Sequence, residues 1–239
     1  MYLWTPEMIR FLEDAAQKTE YYAELAAILA AQLPNGTGIC DVGCGLGHLS
    51  ELLCASFSPV TAIDCSAPAV DAFRARLAGK QPENLRILCE DAFALPDTTQ
   101  FDQMVFCYFG SLPEILQIAK KHCRGSVVVI RRSYEQHRFD LDRHPRPRSG
   151  AAETLSKLQS MGIDCRCTEL SPEFGQPLRS QEDALRFFAL YLRDPAQTVD
   201  WPKIAPKLIE TGDSVFPYYY PQQKRVAVLQ FEAAQIPPD

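Results

Sequence analysis

The sequence predicts a doubly wound α/β fold built on one seven-stranded sheet, mostly parallel with an antiparallel last strand, with helices on both faces. Three observations carry this reading. Short apolar strand-like runs alternate with helical segments five times between residues 38 and 132. The run "SVVVIRR" at residues 126–132 is β-branched without polar alternation, as a strand buried on both faces requires. The first strand-to-helix turn, within "GICDVGCGLGHLSELL" at residues 38–53, crowds three glycines into five positions, at the edge where such sheets bind ligands.

The elements follow in order. Thr5-Pro6-Glu7 reads as an N-cap with proline at the first helical position, and Met8, Ile9, Phe11 and Leu12 begin the apolar face. A second helix is expected at about 21–32, where Leu25, Ile28 and Leu29 share a face and Pro34-Asn35-Gly36 ends it. Strands at about 39–42, 60–63, 85–89 and 104–107 then alternate with helices at about 48–55, 66–78 and 113–122, up to the fifth strand at 126–132. Beyond it the rhythm changes to an arginine-rich loop, a helix at about 152–161, a strand at about 164–170 and a helix at about 182–192. A proline-rich segment with Tyr218-Tyr219-Tyr220 leads to the last strand, "RVAVLQFE". Residues 1–37 are therefore expected to be helices covering the ligand site, and residues 38–239 the core. An insertion is expected at about 171–223 between the last two strands, because adjacent antiparallel strands need only a short turn.

At 239 residues the chain suits one core with an appended or inserted element. Its formal charge of -6 argues against nucleic acid as a partner, since a polyanion would meet a surface of the wrong average sign. The nine cysteines are scattered through apolar segments, which fits reduced thiols in a cytoplasm rather than a disulfide framework. Cys165 and Cys167 place both thiols on one strand face with no histidine nearby in sequence, so no metal site is expected. The N-terminal stretch lacks a signal-peptide pattern and no apolar run reaches a membrane-spanning length. A soluble, cytoplasmic protein with no membrane partner, a monomer or homodimer, is expected.

The glycine turn narrows the ligand. A dinucleotide fingerprint is G-x-G-x-x-G, with a pyrophosphate on the helix N-terminus. Counting from Gly43, the third glycine here, Gly47, follows Gly45 one residue early. Asp41, two residues before Gly43, would repel a pyrophosphate. A cationic ligand with a ribose and an amino acid moiety suits these groups better.

With these residues in view, "ICDVGCGLG" resembles motif I of the class I S-adenosylmethionine-dependent methyltransferases. The likeness extends over roughly residues 20–132 through "VTAIDCS", "ILCEDAFALP" and "FDQMVFCYFGSL". It implies a Rossmann-like fold and S-adenosylmethionine as cofactor, with S-adenosylhomocysteine as product. It also implies that Gly43, Cys44, Gly45 and Gly47 pass close to the methionine part and that Asp41 meets its ammonium end. Asp64 would accept the ribose hydroxyls, and Asp91 the adenine amine. Ala92 would offer its backbone amide, Phe93 would pack on the adenine ring, Cys65 would touch the other adenine face, and Cys107 would border the cofactor at the end of the fourth strand.

The acceptor is read from different segments. Members of that family that methylate nucleic-acid amines carry Asp/Asn-Pro-Pro-aromatic after the fourth strand, where this chain has Cys107-Tyr108-Phe109-Gly110. Cys107 also lacks the Pro-Cys context of pyrimidine methylation. A small-molecule acceptor of aromatic or anionic character is therefore expected, met by Tyr21, Tyr108 and Tyr219. The stretch at residues 131–150 holds six arginines and two histidines against three acids. Its Arg146 and Arg148 are candidate anion contacts, while Tyr108, His137 and His144 are candidate catalytic groups. Transfer of an aminocarboxypropyl or aminopropyl group on the same fold, or cofactor binding without turnover in a partner protein, remain alternatives.

Overall fold

A computed structural model describes residues 4–133, 150–192 and 197–238. Helices α1 (Pro6–Lys18) and α2 (Tyr21–Gln32) precede β1 (Ile39–Val42), α3 (His48–Leu53), β2 (Val60–Asp64), α4 (Ala67–Arg76) and β3 (Leu85–Cys89). Next come β4 (Gln103–Cys107), α5 (Leu112–His122), β5 (Ser126–Arg132), α6 (Ala151–Ser160) and β6 (Arg166–Leu170). The chain continues through β7 (Gln176–Leu178), α7 (Gln181–Ala189), α8 (Trp201–Ile204), β8 (Ile209–Glu210), β9 (Tyr218–Tyr220) and β10 (Val226–Glu232). Thr5 caps α1, its Oγ1 accepting from the Met8 amide at 3.2 Å, with Pro6 at the first helical position.

The main sheet has the order β3-β2-β1-β4-β5-β10-β6. Strands β1 to β5 pair in parallel, and β10 runs antiparallel between β5 and β6. Strand order reverses between β1 and β4, so their carboxyl ends face a crevice where connections depart in opposite directions. Strand β5 shows why the sheet is covered on both sides. Val128 and Ile130 join one apolar cluster with Leu25 and Leu29 of α2 and Phe73 of α4, while Val127 and Val129 join another with Ile115 and Ile118 of α5. Each such fully buried side chain stabilises the fold by roughly 1.5–3 kcal/mol.

A second sheet, β7-β9-β8, lies in the stretch between β6 and β10, where the sequence showed only a helix and a proline-rich segment. Its strands hold three, three and two residues, too few to display an alternation, and prolines 177, 217 and 221 sit in or beside them. This sheet has its own apolar cluster, which includes Phe11 of α1 with Leu178, Phe187, Phe188, Ile204 and Tyr220. Buried Asp14 of α1 receives Arg179 at 2.6 Å, and buried Asp183 of α7 receives Arg10 at 2.5 Å. Helix α1 is thus clamped to the small sheet by apolar contact and two charge-assisted pairs, whereas α2 packs into the main core.

Candidate functional site

The turn leaving β1 is held to β2 by two hydrogen bonds, the Gly43 and Cys44 amides donating to the Ile63 carbonyl at 2.8 and 3.0 Å. Gly43, Gly45 and Gly47 all have left-handed φ, at 72°, 55° and 69°. A Cβ at Gly47 would lie 1.9 Å from the Phe73 ring, so this glycine admits α4 against the turn. A Cβ at Gly43 would lie 2.5 Å from Phe109, and one at Gly45 3.1 Å from Trp4. Two aromatic side chains from outside the turn therefore rest on its first two glycines, and the turn's surface is bare backbone walled by rings.

Two acids stand beneath it. Asp64, at the end of β2, accepts from the Gly45 amide through Oδ2 and from the Ser66 amide through Oδ1, both at 2.8 Å. The carboxylate so ties the glycine turn to the start of α4, while the Ser66 side chain makes no capping hydrogen bond. Each of its oxygens keeps a lone pair for a further donor. Asp41 is 1% exposed. Its Oδ2 accepts from the Ser50 hydroxyl at 2.6 Å, while Oδ1 is buried with no hydrogen-bond partner among the described residues. Burial pushes its carboxyl up to about 6, the Ser50 hydrogen bond pulls the other way, and the charge of Asp64 adds to the rise. An unsatisfied buried carboxylate oxygen is costly unless a donor or cation meets it.

Asp91 follows β3 and accepts from the Phe93 amide at 3.0 Å, starting a short 3-10 turn over Ala92–Ala94. Ala92 is buried there, whereas Phe93 is 40% exposed and Cys65, just beyond Asp64, is exposed too. Cys44 and Cys107 are half-buried, and burial pushes the Cys107 thiol up to about 12. A thiol so raised is a packing group at neutral pH, not a nucleophile.

Across the crevice, Tyr108 follows β4 with φ 57°, the one non-glycine residue with positive φ among those described. Its amide donates to the Ile130 carbonyl at 3.1 Å. Arg131, 5% exposed, donates to the carbonyls of Phe109 and Gly110 at 2.7 and 2.8 Å, fixing the turn that presents Tyr108. The Tyr108 and Tyr21 hydroxyls lie 3.1 Å apart. Tyr21 packs on Phe174 with ring centroids at 4.4 Å, and Lys224 Nζ stands 4.2, 4.4 and 4.8 Å from the ring centroids of Tyr108, Tyr21 and Phe174. Tyr219 lies on β9, its hydroxyl donating to Glu173 at 2.6 Å.

The crevice thus gathers Asp41, the glycine turn and Asp64 at the ends of β1 and β2, with Tyr21 and Tyr108 across from them. Asp91, Ala92 and Phe93 lie beyond Asp64, next to β2 at the end of β3. His137, His144, Arg146 and Arg148 lie outside the described residues. Ser50 and Lys224 escaped the sequence reading, and Arg131 entered it only as one of six arginines in the stretch at residues 131–150. Ser50 could have been found nine residues after Asp41, on the inner face of the helix that the turn starts. Arg131 and Lys224 reach the crevice from the central strand β5 and the β9–β10 loop, and no local pattern announces either.

Residues 39–126 match the family described as methyltransferase domain. A malonyl-[acyl-carrier protein] O-methyltransferase of Priestia megaterium is 27% identical over 112 residues, which is 41% of this chain and 40% of that protein. The chain therefore matches about two fifths of the length of this curated relative. Among solved structures, the YcgJ protein of Bacillus subtilis is similar with a TM-score of 0.54 and 13% identity, covering 88% of this chain and 97% of that one. Magnesium protoporphyrin IX methyltransferase of Synechocystis PCC 6803, with S-adenosylmethionine bound, has a TM-score of 0.50 and 13% identity, covering 96% and 86%. At these identities the two structures speak for the fold. The strand order, the glycine turn and the acids at the strand ends accompany this similarity of residues 39–126 to a methyltransferase domain. S-adenosylmethionine is accordingly the cofactor to test against these residues, and the buried, unpartnered Oδ1 of Asp41 fits its ammonium group.

Proposed function

We propose that this protein transfers the methyl group of S-adenosylmethionine to a small-molecule acceptor of aromatic or anionic character. The observation that carries the reading is the buried Asp41 Oδ1 without a partner beneath the glycine turn, which needs a cation such as the cofactor's α-ammonium. In this reading Asp41 receives that ammonium, while the backbone of Gly43, Cys44 and Gly45 lines the amino acid end. Asp64 keeps its two backbone donors and accepts the ribose hydroxyls on its remaining lone pairs. Asp91 accepts from the adenine amine with Ala92 donating its amide, and the exposed ring of Phe93 and the thiol of Cys65 cover the base on either side.

S-adenosylmethionine, when bound, supplies an electrophilic methyl group on a sulfonium. The chain's part is then to align an acceptor in line with it and to keep water out. Tyr21, Tyr108 and Phe174 wall the acceptor side at the end of β4, and Arg131 keeps Tyr108 aimed there. Tyr219, and Arg146 and Arg148 of the arginine-rich loop, are further contacts to probe by substitution. The curated relative is named for an O-methylation, so an oxygen acceptor is the first to try. An ionised oxygen needs no general base, which suits a wall built of tyrosines and a lysine. Calorimetry with S-adenosylmethionine, followed by transfer of labelled methyl into fractionated metabolite extracts, tests the reading. Cofactor binding with no labelled product in any fraction would favour a binding protein over an enzyme.

A further inference from the structure

The indole of Trp4 fills the space that a side chain at Gly45 would take. A Cβ there would lie 3.1 Å from Cζ2 of Trp4, 3.7 Å from Cη2 and 4.0 Å from Cε2. The Gly45 amide already donates to Asp64 at 2.8 Å, so a ligand that meets Gly45 must come to the face that the indole covers. Asp41 points the same way on separate grounds. Its Oδ1 is buried with no hydrogen-bond partner among the described residues, so a cation reaches it only after a covering group has moved. Two rings from outside the turn lie on its glycines, Phe109 on Gly43 and Trp4 on Gly45.

The two rings differ in how they are built in. Phe109 belongs to the frame: its carbonyl accepts from Arg131 at 2.7 Å, its ring packs on Phe106 with centroids at 5.6 Å, and the capping box that starts α5 follows at Ser111. Trp4 stands just outside a helix. Thr5 is the N-cap of α1, its carbonyl accepting from the Ile9 amide at 3.0 Å and its Oγ1 from the Met8 amide at 3.2 Å. Turning Trp4 aside on the N-terminal side of Thr5 breaks none of these bonds. The helix itself is anchored by the Arg179–Asp14 and Arg10–Asp183 pairs and by Phe11 in the cluster of the small sheet. The indole is thus the covering group that moves while α1 stays in place.

We propose that Trp4 is an autoinhibitory gate: its indole competes with the amino acid end of the cofactor for the face of Gly45, and swings aside at the Trp4–Thr5 junction when S-adenosylmethionine or its product binds. This rests on the methyltransferase reading above and adds a regulated entrance to that site. A seated indole lowers the apparent affinity by the fraction of molecules it closes, so the gate weakens binding without touching the residues that hold the ligand. It also keeps water from the buried Asp41 carboxyl until a cation arrives to replace it.

The test uses the full-length protein, whose only tryptophans are Trp4 and Trp201. Trp201 packs on Tyr218 at the small sheet, and Trp201→Phe leaves Trp4 as the single indole reporter. Titration of that variant with S-adenosylhomocysteine should shift the emission to the red and raise its quenching by acrylamide, saturating together with the heat of binding. By calorimetry, Trp4→Ala should bind S-adenosylhomocysteine at least about threefold more tightly than the parent, the gain expected when a closed form about twice as populated as the open one is removed. Trp4→Phe should fall between the two. Two outcomes overturn the proposal: unchanged or blue-shifted emission at saturation, or a cooperatively unfolding Trp4→Ala that binds no more tightly than the parent, which would make the indole a wall of the site. Should Trp4→Ala fail to fold, the emission of Trp201→Phe decides alone. Failure of S-adenosylhomocysteine to bind the folded parent overturns the methyltransferase reading itself, and the competition with it.

Discussion

Two aspartates at the crevice do different physical work, and each implies its own experiment. For Asp41, burial raises the carboxyl from 3.8 to about 6, so over that interval the native state holds a proton that the unfolded chain has lost. Stability therefore falls as pH rises through this window and levels off above about 6. Asp41→Asn should flatten that slope and raise stability at neutral pH by roughly 1–2 kcal/mol, as read by urea unfolding. The same substitution should weaken S-adenosylmethionine binding by about tenfold or more, because a neutral amide cannot offer the ammonium a charge. In the parent protein, cofactor affinity should fall as the pH drops below about 6, where a proton competes with the ammonium for Asp41. A variant that is less stable and binds as before would leave Asp41 a structural group only. Asp64→Ala removes acceptors for the Gly45 and Ser66 amides as well as for a ribose. Calorimetry should show at least about a tenfold weaker cofactor, together with a loss of stability of about 1–3 kcal/mol.

Among elements, the turn from β1 to α3 shows where sequence reading succeeds and where it ends. Glycine spacing and Asp41 together disfavoured a pyrophosphate loop and pointed to bare backbone in the glycine turn. They could not show that Gly47 makes room for Phe73 of α4, because that contact joins residues far apart in the chain. Gly47→Ala should destabilise the protein by roughly 2–4 kcal/mol, from overpacking plus the left-handed φ. Gly36→Ala, with φ 74° and nothing within 4 Å of the new methyl, should cost only about 1 kcal/mol. Equal losses in a denaturant series would remove the packing account. The β7-β9-β8 sheet stayed hidden for a related reason: strands of two or three residues beside prolines carry no period to read, and their pairing is decided by the tertiary contacts around Phe187 and Tyr220.

At the scale of the whole molecule, a seven-stranded, mostly parallel sheet with an antiparallel last strand followed from the alternation of strand-like and helical runs and from the both-face burial of β5, whereas the strand order carried no sequence signal. Acids at the ends of β1, β2 and β3 were likewise legible, since topology alone brings those strand ends to one edge. The acceptor side was legible only as a surplus of aromatic residues. Its wall joins α2, the end of β4, Phe174 and the loop before β10, segments that no local rule connects, and Lys224 gave no sign in sequence of the three rings around it. The central claim is that this crevice is built for a sulfonium cofactor and its product. Isothermal titration calorimetry of the intact protein with S-adenosylhomocysteine at neutral pH tests it most directly. One-to-one binding at sub-millimolar concentration is expected, lost or weakened at least about tenfold in Asp64→Ala; absence of binding by the folded parent protein would contradict a crevice built for this cofactor.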